Sequence, residues 1–249
     1  MSYSSTPPRS YQIDVVGEVG AAYRAVFDRL QLVGEMALLP FLITLALEIA
    51  AHFLISQGGM PVGVILAILL GIAQAVFAIV FIVRWYRFLL LDETVGGGLI
   101  PPGWTASIVV TVKLVLLIIA ALVPLMIIGM IIPILGAPLS LIGGIAVGLA
   151  SVRVSMIFPA AAIEQPIPFR TAWDWLEGNY WRLVAVEFAC YVPFVVAGYV
   201  LRAIASELPS LFYIVIAALQ LLVSFVGWAV ISAVLAHVYR ELTGVPRSA

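Results

Sequence analysis

Two ionisable residues inside an apolar stretch are the first candidates for chemistry in this chain. Glu48 and His52 are four residues apart in a run dominated by Leu, Ile and Ala, and this spacing places both on one face of a helix. Because histidine titrates near neutral pH, the pair could bind and release protons. A hydrogen-bonded pair between helices, or a rim exposed to water, is the alternative interpretation.

Three further ionisable residues, Lys113, Arg153 and Glu187, also lie inside apolar stretches. Such groups are costly in lipid and usually face protein or water. Their positions in the sequence predict that all three lie in the inner third of the bilayer. Arg153 could pair with Glu187, or each side chain could extend separately towards the lipid headgroups, and the sequence leaves both interpretations open.

Catalytic motifs are absent from the sequence. It contains no P-loop, HExxH or GxSxG pattern and no Cys/His cluster with the spacing of metal ligands. The single cysteine, Cys190, is expected to be a small buried apolar side chain. We therefore predict no catalytic residues, no metal and no cofactor.

The composition is that of a membrane protein. Of the 249 residues, 64% are hydrophobic and only 10% are charged, whereas a soluble domain carries about 25% charged residues. The mean hydropathy is +1.19. The net charge of −1 provides no basic surface for nucleic acid. The expected partner is the lipid bilayer, and the sequence leaves open a membrane-protein partner or a homo-oligomer.

Six apolar segments are long enough to cross a bilayer, which takes about 20 residues in a helix. Helices are required because each backbone N–H and C=O in lipid must be satisfied within its own segment. The predicted fold is all-α, an integral membrane six-helix bundle made of three transmembrane hairpins. The predicted spans are residues 36–56, 62–83, 107–132, 139–163, 181–201 and 211–237.

The basic residues predict the orientation, because cytoplasmic loops are enriched in Lys and Arg. With the N-terminus inside, eleven of the twelve basic residues lie on the inner side, and only Arg202 lies outside. We predict a cytoplasmic segment with an amphipathic helix at 1–35, a transmembrane domain at 36–237 and a cytoplasmic tail at 238–249. The first apolar run begins too late for a cleaved signal peptide.

Aromatic residues cluster before the fifth span. Residues 167–183 contain Trp173, Trp175, Tyr180 and Trp181 among charged residues, a mixture typical of a helix at the membrane surface. We predict one cytoplasmic interfacial helix here. It either binds the lipid surface as part of the function or acts as a collar that fixes the depth and tilt of the bundle.

Three stretches, 15–43, 153–184 and 236–244, carry a family resemblance. The most specific pattern is Arg153 and Phe158-Pro159, followed by FRTAW and NYWR before the fifth span. This pattern resembles a bacterial group of polytopic membrane proteins that includes the membrane domain of some glycerophosphoryl diester phosphodiesterases. The resemblance implies six helices, a location in the bacterial inner membrane and no enzyme activity.

Two functions fit these observations. The first is a non-enzymatic inner-membrane protein that acts as a scaffold or as an envelope or lipid-associated factor. The second is a small secondary transporter or channel, with Glu48, His52, Arg153 and Glu187 along its path. A membrane-embedded lipid enzyme would need a polar cluster that is not evident in the sequence.

Overall fold

The computed structural model describes residues 11–57, 60–93, 100–209 and 212–244. Within these ranges the chain is helical and contains no strand. Residues 1–10 of the predicted N-terminal segment and residues 245–249 of the predicted C-terminal tail lie outside the described residues. The described helices are α1 (Val15–Phe27), α2 (Leu30–Gln57), α3 (Met60–Leu91), α4 (Trp104–Ile131), α5 (Pro133–Val154), α6 (Ile157–Ala162), α7 (Phe169–Trp175), α8 (Tyr180–Glu207) and α9 (Tyr213–Thr243).

Six of these helices are long and apolar enough to cross a membrane, namely α2, α3, α4, α5, α8 and α9. The all-α fold and the six candidate spans are therefore confirmed. Helix α4 has 28 residues, about 42 Å at 1.5 Å per residue, which exceeds the roughly 30 Å of a hydrocarbon core. The long helices expose many large apolar side chains, including Ile65, Leu116, Met130 and Ile134, as lipid-facing surfaces do.

Consecutive long helices pack side by side, α2 against α3, α4 against α5 and α8 against α9. Helices α4 and α5 are separated only by Ile132, which has non-helical dihedral angles. Their backbones meet at two glycines, since a Cβ on Gly129 would lie 2.8 Å from the Cα of Gly136. A side chain at Gly129 would force the two helices apart at this crossing.

The buried core is concentrated at one end of the long helices. There α1 and α6 contact α9, and α7 contacts α5. The largest fully buried side chains include Trp85, Tyr239, Met156 and Leu176. Trp85 also donates a hydrogen bond from its indole N–H to the Ala229 carbonyl at 2.9 Å, which satisfies a polar group that would otherwise be buried without a partner.

The predicted end of the fourth span is wrong. The sequence predicts a helix to residue 163, but α5 ends at Val154, and Ile157–Ala162 form the separate buried helix α6. Gly103, at φ 79°, packs so closely on the Ala162 carbonyl that a Cβ there would clash with it. The run that follows Met156 is apolar because it belongs to the protein core, and lipid selects the same residue types.

The prediction of a single helix at 167–183 is also wrong. Helix α7 ends at Trp175, and α8 begins at Tyr180. Gly178 lies between them with φ 84°, a conformation that glycine adopts without steric cost. The segment therefore turns sharply before it enters the fifth long helix.

The extended residues before α1 are bound by the start of α8. The Ile13 N–H donates to the Asn179 Oδ1 at 3.0 Å, and the Asn179 amide donates to the Tyr11 carbonyl at 2.8 Å. Arg182 donates to the Ile13 carbonyl at 3.0 Å. Further along, burial raises the pKa of Tyr23 above its ordinary value, so its hydroxyl stays protonated and donates to a carbonyl of α8 at 3.2 Å.

We expect Asn179→Ala to lower the free energy of unfolding by about 1–3 kcal/mol, because it leaves the buried N–H of Ile13 and the partly buried carbonyl of Tyr11 without this partner. Thermal unfolding of the full chain in detergent measures this change. Glu177→Ala, at an exposed neighbouring position, is the matched control and should leave the unfolding temperature unchanged. Equal effects of the two substitutions would contradict the role of Asn179.

Candidate functional site

A cleft opens along α3, α8 and α9, with side chains from α2 and α4 completing its walls. Its volume is about 750 Å³. On α3 it extends from Gly71 to Ile82, about 16 Å at 1.5 Å per residue. Glycines on two helices leave this space open, since a Cβ on Gly71 or Gly198 would meet no atom within 4 Å.

Polar side chains gather at one end of the cleft. Gln74 donates from Nε2 to Glu48 Oε2 at 2.8 Å, and the Tyr213 hydroxyl donates to Glu48 Oε1 at 3.5 Å. The His52 ring stacks on Tyr213 with 3.8 Å between the ring centroids. Glu48 and His52 together line a smaller adjoining cavity of about 310 Å³.

A cation faces the same cleft. Arg202, the one basic residue predicted on the outer side, lines the cleft together with Glu48. Thr44 is buried, and its hydroxyl has no hydrogen-bond partner among the described residues. The remaining lining includes large apolar side chains such as Phe194 and Trp228. The described lining therefore combines one negative group, one positive group and an extended apolar wall.

Arg153 does not pair with Glu187. Its guanidinium carbon lies 4.3 Å from the ring centroid of Trp173 and 5.4 Å from that of Tyr180, and its Nε donates to the Trp173 carbonyl at 3.5 Å. The Oε1 atom of Glu187 is buried and has no hydrogen-bond partner in the part of the chain that the structure describes. A cation–π contact thus takes the place of the ion pair that the sequence allowed.

The aromatic residues predicted at the membrane surface separate into two groups. Trp173 and Trp181 are 40% and 67% exposed. Trp175 is 5% exposed and packs against Tyr239 with 6.0 Å between ring centroids, so its assignment to the surface is wrong. Tyr180 donates its hydroxyl to the Leu149 carbonyl at 3.0 Å. Lys113 is exposed on α4.

Sequence reasoning missed an arginine that joins three parts of the chain. Two nitrogens of Arg87 each donate to a carboxylate oxygen of Glu93 at 2.6 Å, and a third donates to the Ala162 carbonyl at 3.0 Å. Glu164 lies 3.6 Å from the same guanidinium. Arg87 is buried. Its partners lie up to 77 positions away along the chain, so no local pattern could indicate them.

A metal site does not emerge from the part of the chain that the structure describes. No group of three or more His, Cys, Asp or Glu side chains converges there. Comparisons with known proteins add no relative, since no family model, curated protein or solved structure matches this chain. The resemblance to the phosphodiesterase-associated membrane domain stays a prediction.

We expect Arg87→Met to lower the free energy of unfolding by about 2–3 kcal/mol, because it removes the partner of a buried carbonyl and of two acidic groups. Loss of helical circular dichroism on heating in detergent reports this change. Arg24→Met removes an exposed arginine and should shift the transition far less. If both substitutions lower stability equally, the network does not hold this end of the fold together.

Proposed function

We propose that this chain is a non-enzymatic protein of the bacterial inner membrane that binds an amphipathic molecule, and serves as an envelope or lipid-associated factor or scaffold. The single observation that carries the proposal is the cleft of about 750 Å³, which places Glu48 and Arg202 on one largely apolar cavity. Ligand sites of about 300–1,000 Å³ typically combine apolar walls with a few polar groups.

The side chains that line the cleft favour an amphipathic molecule with a zwitterionic headgroup. Charged groups at membrane depth are costly unless they have a partner. Glu48 suits an ammonium group, and Arg202 suits a phosphate or carboxylate, because charge-assisted hydrogen bonds are stronger than neutral ones. The apolar side chains along α3 and α8 suit a hydrocarbon chain. A phospholipid with an amine headgroup meets all three requirements.

A binding role is favoured over catalysis by the composition of the cleft. General acid–base chemistry needs a donor and an acceptor of protons placed around a reacting atom. Among the described residues that line the main cleft, Glu48 is the only acidic side chain, and none is a histidine or cysteine. The residues present can orient and hold a molecule.

A secondary transporter is the second candidate, and one observation favours it. Glu48, Tyr213 and His52 form a continuous set of polar side chains at one end of the cleft, and proton-coupled transporters use such sets. Arg153 and Glu187, however, are absent from the described lining of the cleft. Proton-driven flux in reconstituted vesicles that is lost in Glu48→Gln would favour transport over binding alone.

In the proposed orientation both chain ends lie in the cytoplasm. We also propose that the six long helices pair into three hairpins. Cysteine labelling tests the orientation in a Cys190→Ala background. We expect Ser206→Cys, at the opposite end of α8 from the buried core, to react with an impermeant maleimide in intact spheroplasts. Ser248→Cys should react only after the membrane is permeabilised, and the reverse pattern would refute the orientation.

Filling the cleft tests the ligand site. We expect Gly71→Leu to abolish co-purification of the bound lipid, measured by mass spectrometry of the detergent-extracted chain, because the new side chain occupies the cavity. Gly144→Leu is the matched control, since a Cβ at either glycine meets no atom within 4 Å and Gly144 lies outside the described lining.

Charge removal tests the assigned contacts. Glu48→Gln and Arg202→Gln should each weaken binding about tenfold, which corresponds to about 1.4 kcal/mol for one charge-assisted contact. Retention of the same lipid by both charge variants and by Gly71→Leu would exclude the cleft as its binding site.

A further inference from the structure

A second groove lies between α4, α5 and α7 and shares no described lining residue with the cleft. Its volume is about 310 Å³. Along α4 it extends from Leu114 to Ala121, about 10 Å at 1.5 Å per residue. The opposite wall is formed by Ser151 and aliphatic residues of α5, and the small side chains of Ala121 and Ala150 leave room between the helices.

One end of this groove is cationic. Arg170 on α7 lines it, and no acidic side chain appears in the described lining. Lys113 precedes the lining residue Leu117 by four positions, so both lie on the same face of α4, and Lys113 is exposed. Asp174 is four positions beyond Arg170, but the described residues contain no ion pair between them.

An aromatic ring closes the same end. Trp173 lines the groove, and its ring is held by the guanidinium of Arg153 at 4.3 Å. Tryptophan favours the headgroup level of a bilayer. The groove therefore changes from largely aliphatic walls to an indole and cationic groups over a few helical turns. This order matches the order of groups along a phospholipid molecule.

We infer that this groove binds one anionic phospholipid from the leaflet that faces α7. One acyl chain lies between α4 and α5, and the phosphate is bound by Arg170 with Lys113 beside it. The cationic end favours a lipid with net negative charge over a zwitterionic one, because the described lining contains no acidic residue to receive an ammonium group. This inference is independent of the cleft and of the molecule proposed to bind there.

Fluorescence quenching by brominated lipids tests the inference. The full chain is reconstituted in phosphatidylcholine vesicles that contain a small fraction of phosphatidylglycerol, and either lipid carries the brominated acyl chains. The difference between the wild-type chain and Trp173→Phe isolates the Trp173 signal. We expect brominated phosphatidylglycerol to quench that signal several-fold more strongly than an equal fraction of brominated phosphatidylcholine.

Two kinds of variant separate the phosphate contact from the acyl-chain contact. Arg170→Gln combined with Lys113→Gln should reduce quenching by phosphatidylglycerol to the level of phosphatidylcholine, whereas Arg24→Gln, an exposed arginine outside the groove, should not. Ala150→Phe keeps both cations but fills the groove, and it should also remove the preference. Circular dichroism establishes that each variant is folded.

Three results would overturn the inference. Equal quenching of wild-type Trp173 by the two brominated lipids would show that the groove has no charge preference. A preference that survives the double substitution at Arg170 and Lys113 would exclude these residues as the phosphate site. Loss of the preference on addition of inorganic phosphate would assign the cations to a soluble anion.

Discussion

An apolar side chain gains no hydrophobic free energy by moving from lipid to a neighbouring helix, because both surroundings are apolar. The hydrophobic effect can therefore stabilise this bundle only where the chain meets water. The distribution of buried residues follows this constraint. Helices α1 and α6, which are too short to span, pack around the ends of the long helices, and most of the largest fully buried side chains, including Trp85 and Tyr239, lie there. Polar contacts reinforce the same end: Asn179 binds the chain before α1, and Arg87 joins α3 to the last residue of α6.

The rest of the bundle is packed differently, and the cleft lies there. Away from the core end, α4 and α5 approach each other closely at two small residues, Gly129 and Gly136. Other glycines, including Gly71 and Gly198, approach no neighbour and instead leave a cavity. Glu48 is exposed in this part of the bundle, and Gln74 and Tyr213 each donate a hydrogen bond to one of its carboxylate oxygens. The loosely packed part of the fold is therefore also the part best suited to bind a ligand.

The sequence predicts the number of long helices well because length and hydropathy suffice for that purpose. It fails where lipid and protein core select the same residues. Met156 begins an apolar run that belongs to the core, and Trp175 is buried although Trp173, two positions earlier, is exposed. The position of a residue in a predicted span also indicates its depth in the bilayer, but it does not indicate which side of the helix its side chain occupies. Arg153 and Glu187 occupy similar predicted depths, yet Arg153 contacts two aromatic rings. The partners of Arg87 depend on the fold of α6, which no local pattern indicates.

The two proposed lipid sites differ in the charges that they offer, and this difference follows from their positions. The cleft contains Glu48 and Arg202, so it suits a molecule that carries both a positive and a negative group. The groove has Arg170 at one end and no acidic residue in its described lining, so it suits a net negative headgroup. Basic pockets at the cytoplasmic surface recognise anionic headgroups in many membrane proteins, and the proposed orientation places Arg170 at that surface. A bundle with these two sites would bind different lipids at different depths, which is a property expected of a lipid-associated factor more than of a channel with one continuous path.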